Sequence, residues 1–237
     1  MILSNKRSDQ NIIKNLTDNK KKIIFKKKPI NFFQNKIIKK PWGFEYCVKS
    51  SKKFALWVLC LKKKQCTSMH AHLTKKTYLI NTKKINFVGI NKEHKINPFS
   101  ILEIEKGSFH QTKNSSNEDT VIFEIETPNN KFDLLRYKDK YNRNSSNYEN
   151  KTLKNKGIFS LKKKIRKDYL NFIEGKKVKL NQKILKNDIL ILIDGQLILD
   201  KKKLDYFKPL KIKKDICLLK NKNFNNKTNF FIVKNNI

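Results

Sequence analysis

The sequence predicts an all-β protein built as two barrels in tandem. Three observations carry this. Short apolar runs recur at intervals of about ten residues, turn-like clusters separate them, and a second block of runs repeats the order of the first. At 237 residues the chain is long enough for one large domain or two small ones, and it can bury a core without disulfides.

Residues 1–38 are polar and lysine-rich, with short apolar pairs such as Ile23-Ile24 and Phe32-Phe33. They read as a loosely attached arm or as edge strands. The first barrel is expected over 39–145. Its runs are GFEYCV (43–48), FALWVLCL (54–61), TYLI (77–80), INFVGI (85–90), SILEIE (100–105) and TVIFEIE (120–126). The clusters KSSKK, NTKK, NKEHKINP and KNSSNED separate them, and few segments before residue 130 have helical periodicity. A stretch rich in Asn, Ser and Lys follows over 127–157, with one ordered-looking segment at FDLLRY; its end, 146–157, reads as a linker.

The second barrel is expected over 158–237. DILILIDGQLIL (188–199) reads as two strands about Asp194-Gly195, and LKIKKDICLL (210–219) and NFFIV (229–233) complete the block. LKIKKDICLL aligns with the segment from Leu102 at an offset of 108, and ILILIDGQLI aligns with TYLINTKKI at about 113. On that alignment Leu218 replaces His110, and Lys183 and Leu185 replace His70 and His72. The second barrel therefore keeps no ligand and reads as structural or as a surface for dimerisation.

The formal charge of +35 invites a nucleic-acid partner. The excess, however, is lysine spread along the whole chain, with only Arg7, Arg136, Arg143 and Arg166 as arginines. Phosphate and base readers mix Arg with exposed aromatics on one face, so a solvated surface explains the charge better. Cys47, Cys60, Cys66 and Cys217 form no CxxC or zinc-ribbon spacing, which suits reduced thiols in the cytoplasm. No run approaches the ~18 apolar residues of a membrane helix, and the first fifteen residues have no secretory apolar stretch.

Only four histidines are present: His70, His72, His94 and His110. His70 and His72 stand at i and i+2 in TSMHAH, and on a strand such residues share a face. Two imidazoles so placed can share a metal ion, and His110, on a later strand, could face them across a barrel. HxH alone fits unrelated core or surface histidines equally well. His94 lies in a turn-like segment and receives no role. Glu124 and Glu126 alternate with Phe123 and Ile125, so one face of that strand carries two carboxylates. Facing the interior, Glu124 would be a ligand or proton-transfer base; facing solvent, the two would be an ordinary surface pair. Arg136 is an arginine in a chain of lysines. That points to planar bidentate contact with phosphate or carboxylate, or to an ion pair with Asp133 or Asp139. Trp42 suits a core position or stacking on a sugar.

Together the motifs resemble the cupin family, which places HxH before a glutamate and, later, Gly, two residues, His, three residues and Asn. Gly107, His110 and Asn114 match the second motif. Lys75 and Lys76 stand at the place of the glutamate, and Glu105 stands where a proline is usual. KPWGFEYCV (40–48) is similar to the opening of the cupin domain in type II mannose-6-phosphate isomerases. FEIETP and the segment 132–143 are similar to its close, with Asp133, Arg136, Asp139, Tyr141 and Arg143 matching and Asn142 in place of a glycine. The resemblance covers about 40–143.

It implies a double-stranded β-helix, or jelly-roll barrel, and hence a bicupin with a degenerate second barrel. It implies a divalent metal (Zn, Fe, Mn or Ni) on His70, His72 and His110, and a sugar phosphate or nucleotide sugar as substrate, within surface-polysaccharide synthesis. The reaction would be aldose–ketose isomerisation, with Arg136 on the phosphate and Glu124, Arg136 and Lys76 as the catalytic set. A non-catalytic sugar- or metal-binding cupin and a three-histidine iron dioxygenase of thiols are the alternatives. Cupins often pair through a sheet edge, so a homodimer is compatible with this reading.

Overall fold

The computed structural model describes residues 1–18, 32–143, 151–154 and 156–235. Residues 19–31 of the expected arm and 146–150 of the expected linker lie outside the described residues. The chain divides into two compact units, Met1–Leu153 and Lys154–Ile237.

The first unit opens with β1 (Ile2–Leu3) and helix α1 (Arg7–Asp18). Its other strands are β2 (Ile37–Lys40), β3 (Gly43–Ser50), β4 (Ala55–Leu61), β5 (Met69–Ala71), β6 (Lys76–Asn81), β7 (Ile85–Val88), β8 (Glu93–Ile96), β9 (Ile101–Ile104), β10 (Gln111–Lys113), β11 (Thr120–Thr127) and β12 (Leu135–Lys138). One sheet has the order β1-β9-β6-β11-β4-β3-β2. Opposite it lie β10-β7-β8 and β12-β5, joined where His70 bridges His110. Trp57, Leu59, Leu79 and Ile122 of the large sheet meet Ile85, Phe87 and Ile96 of the other in one core. This is a double-stranded β-helix.

Pairing across the large sheet decides what faces that interior. Glu124 lies opposite Trp57 on one side and Leu79 on the other, and Glu126 opposite Ala55 and Thr77. Opposed residues share a face, so both carboxylates point into the barrel beside Ile122. The glycine of the KPWG turn is needed for close approach. Gly43 has φ +145°, and a Cβ there would lie 2.0 Å from the Cys60 carbonyl oxygen.

Residues 1–18 are not loosely attached. β1 extends the sheet edge parallel to β9, and the buried Asp9 accepts the Phe109 amide at 2.9 Å and the Lys6 amide at 3.0 Å. Ile12, Ile13 and Leu16 form a stripe on α1 that covers Met69, Ala71, Phe109 and Leu135, the back of the histidine strands. His94 lies on β8 opposite Phe87 rather than in a turn.

The second unit begins with α2 (Lys156–Tyr169), a helix where the linker was expected to give way to strands. Then come β13 (Leu170–Glu174), β14 (Asn181–Ile184), β15 (Ile189–Asp194), β16 (Ile198–Leu199), β17 (Lys202–Lys203), β18 (Leu210–Lys211), β19 (Ile216–Leu219) and β20 (Asn229–Val233). The sheet order β13-β20-β15-β18 repeats β4-β11-β6-β9, and the pair β14-β19 repeats β5 against the strand of His110. The registers differ by one residue from the sequence alignment. Leu218 pairs with Gln182, whereas Lys183 is exposed and opposite Cys217. The positions equivalent to His70 and His72 are therefore Gln182 and Ile184, and Leu185 is 49% exposed. The interior is apolar: Ile184, Leu190, Leu192, Leu218, Phe230 and Ile232 form its core.

Candidate metal centre

The three expected ligands converge. The ligand-capable atoms of His70, His72 and His110 all lie within 4.8 Å of one another. Ring centroids are 5.0 Å apart for His70 and His72, 4.4 Å for His70 and His110, and 5.3 Å for His72 and His110. Strand alternation puts His70 and His72 on one face, and the bridge from His70 brings His110 alongside.

The backbone fixes the tautomer of each ring. His70 Nδ1 lies 2.8 Å from the Ser68 carbonyl, His72 Nδ1 2.5 Å from the Asp133 carbonyl and His110 Nδ1 3.0 Å from the Ser108 carbonyl. A carbonyl can only accept, so each Nδ1 carries its proton and each Nε2 is left with a lone pair. His72 Nε2 is buried without a hydrogen-bond partner. Three lone pairs aimed into one small space, each ring braced from behind, is the arrangement that suits a metal ion. Burial pushes all three imidazoles down from the ordinary value, His110 to about 4. That keeps them neutral, the form that binds metal. No carboxylate joins this cluster among the described residues.

The first unit has the cupin fold. The decisive observation is this convergence of HxH and Gly-x-x-His on neighbouring paired strands, side by side rather than across the barrel as expected, inside a double-stranded β-helix. Within the cupin barrel Gly107 has φ +76°, a left-handed conformation that favours glycine, and its amide donates to the His72 carbonyl at 2.7 Å. Asn114 is structural. It is fully buried, and its amide nitrogen donates to the carbonyls of Leu61, Lys62 and Glu118.

The closing segment completes the site. Asp133 accepts the Leu73 and Thr74 amides at 2.8 and 2.7 Å, the Lys75 amide at 3.2 Å and the Thr74 hydroxyl at 2.7 Å. It thereby clamps the loop after His72, while its own carbonyl holds the His72 ring. Arg136 lies directly opposite His70 across β5 and β12, and is 6% exposed. Asp139 pairs with Arg143, at 2.7 Å to its Nε, and the Arg143 carbonyl accepts from Arg136 at 3.3 Å.

A cleft of about 550 Å³, counted to its open mouth, holds the histidines together with Lys75, Glu124, Lys131 and Arg136. Trp42 also lines it, though only 4% exposed. Its wall is a buried ionic network. Lys131 lies 3.0 Å from Glu124, 3.1 Å from Glu126 and 3.7 Å from Glu45, and Lys75 lies 2.7 Å from Glu126. Burial raises Glu124 to about 7 against the pull of Lys131. Burial alone would also raise Glu126, but Lys131 and Lys75 outweigh it and hold that group at about 2.

Lys76, expected in the catalytic set, is not in this cleft. It opposes Thr127 at the start of β6, on the face that carries Tyr78, and its Nζ pairs with Glu103 at 2.7 Å. The interior position belongs to Lys75. Lys131 and Glu45 were not singled out by sequence; the charged row on β11 was the only signal that a buried cation would be needed.

No family model matches the sequence, and no curated protein matches it significantly. Among solved structures it is similar to the capsular polysaccharide assembling protein CapF from Staphylococcus aureus, with 16% identity over 44% of this chain and 34% of that one, TM-score 0.38. It is similar to a sugar phosphate isomerase of the cupin superfamily from Silicibacter pomeroyi, with 15% identity over 36% of this chain and 59% of that one, TM-score 0.34. A protein with a double-stranded β-helix domain from Klebsiella pneumoniae gives 14% identity over 50% of this chain and 100% of that one, TM-score 0.38. The match thus spans about a third of CapF and less than two thirds of the isomerase.

Proposed function

We propose that the first barrel binds a divalent metal on His70, His72 and His110 and acts as an isomerase-like enzyme on a sugar phosphate or nucleotide sugar, in surface-polysaccharide synthesis. The observation that carries this is the set of three Nε2 lone pairs opening into a cleft beside Arg136. The likeness of residues 40–48 and 132–143 to the ends of a mannose-6-phosphate isomerase cupin domain supports the substrate class. Bound there, a metal would polarise a carbonyl or hydroxyl of the sugar. Arg136 orients the phosphate through paired N–H donors. Glu124 takes and returns the proton between neighbouring carbons; burial keeps its carboxyl near neutral pH, where a base works best. Four unpaired thiols suit a cytoplasmic setting. Among the described residues no helix is long and apolar enough to cross a membrane.

The test is metal analysis of the purified protein, followed by proton NMR of aldose and ketose hexose phosphates incubated with it. Stoichiometric metal and interconversion support the reading, and protein that takes up no metal sinks it. Metal and sugar binding without turnover would favour a non-catalytic cupin. One observation favours a second reading. The ligand set lacks a carboxylate, since Glu124 and Glu126 are engaged by Lys131 and Lys75, and three neutral imidazoles suit a three-histidine iron dioxygenase. Retained iron with oxygen uptake on adding a small thiol would select that reading.

A further inference from the structure

We infer that the metal site is completed by an oxyanion held between the metal and Lys75, so that metal binding and anion binding reinforce each other. This deepens, and rests on, the metal centre proposed above.

Three neutral imidazoles leave a divalent ion with its full charge, and no carboxylate of the described chain joins them. The cleft that holds the three imidazoles also holds the ammonium group of Lys75. The placement is built. Asp133 fixes the Lys75 backbone through the three amides of 73–75, and Glu126 fixes its Nζ at 2.7 Å. Lys75 is 1% exposed and lines the cleft together with the three histidines. An ammonium has three N–H donors, and Glu126 accepts one of them.

A metal beside this lysine is destabilised by like charge. A carboxylate or phosphate oxygen bound to the metal removes that penalty and can accept from Lys75 at the same time. The ligand class is therefore an oxygen anion that reaches the metal directly, not one held only at the mouth of the cleft. By reciprocity, the anion tightens the metal by the same factor as the metal tightens the anion.

The test is Co²⁺ affinity, read by competition with a chromogenic chelator, in chloride buffer and with inorganic phosphate or acetate added. Free Co²⁺ is corrected for complexes with the anion. In the wild-type protein either anion should tighten Co²⁺ by about tenfold and shift the visible absorption of the bound ion. Lys75→Gln should bind Co²⁺ at least as tightly as wild type without anion, and the gain from anion should fall below about twofold. Lys75→Arg, which keeps the charge and can still reach Glu126, should retain the gain. Co²⁺ that binds equally with and without anion overturns the inference and leaves the metal centre standing. Coupling that survives intact in Lys75→Gln also overturns it. Co²⁺ that fails to bind under all conditions overturns the metal centre and this inference together.

Discussion

Lys75 Nζ lies 2.7 Å from Glu126 Oε1, with both side chains at most 1% exposed. The next residue, Lys76, makes the same contact length with Glu103 on the opposite face of the sheet, where its side chain is 36% exposed. Identical neighbours thus sit in opposite environments, and their removal should differ accordingly. Glu126→Leu leaves buried ammonium groups short of a partner and should cost about 3–5 kcal/mol of stability in urea unfolding. Lys76→Met should change stability by less than about 1 kcal/mol, as for most surface pairs. Equal costs for the two would contradict the face assignment.

His72→Ala and His110→Ala should each purify without stoichiometric metal while keeping the strand signal in far-ultraviolet circular dichroism. Neither ring is needed to hold its strand, because the bridge between His70 and His110 is made by backbone groups. Full metal content in either variant would refute the ligand set.

Asp133 touches no cleft atom of the ligand set directly except through its carbonyl on His72. Its carboxylate is what holds residues 73–75. Asp133→Ala should therefore weaken metal binding by about 10–100-fold, as loss of supporting contacts commonly does. Asp133→Asn keeps one acceptor oxygen on the side chain and should fall between wild type and Asp133→Ala. Competition with a fluorescent chelator would rank them; an alanine variant with native affinity would show that the Asp133 carboxylate does not support the site.

Thiol chemistry offers a check on burial. Burial pushes Cys47 up to about 11 and Cys60 higher still, so neither forms the reactive thiolate at pH 8. Cys217 is exposed and Cys66 half-buried. Iodoacetamide at pH 8 should label Cys217 first, Cys66 more slowly, and Cys47 and Cys60 only when denaturant is added. Mass spectrometry of timed digests would show the order. As pH rises toward 11, Cys47 should begin to react in the native protein.

The histidine site was legible because strand periodicity is two and HxH uses it directly. The carboxylate row on β11 was legible for the same reason. What that row faces was not, since its counter-ion Lys131 lies in TPNNK, a segment that reads as a polar loop. The choice between Lys75 and Lys76 turns on where β6 begins, and a one-residue shift exchanges the faces. Nothing in two adjacent lysines marks that point. Asp133 and Arg136 stood out in the sequence, but the contacts of Asp133 come from its closeness to a loop about sixty residues earlier in the chain. α1 was missed because Ile12, Ile13 and Leu16 are embedded in Asn and Lys, and the stripe has meaning only against Met69 and Phe109. The second block was recognised as a repeat, but low similarity allowed the one-residue error that put Lys183 where Gln182 belongs.

The contrast between Leu218 in one interior and His110 in the other gives the chain an internal reference for its own chemistry. A ligand that binds only the folded form raises the melting point of the part that holds it. Chelation should then lower the melting of Met1–Leu153 and leave that of Lys154–Ile237 in place, so calorimetry with and without chelator would separate metal loss from general damage in a single sample.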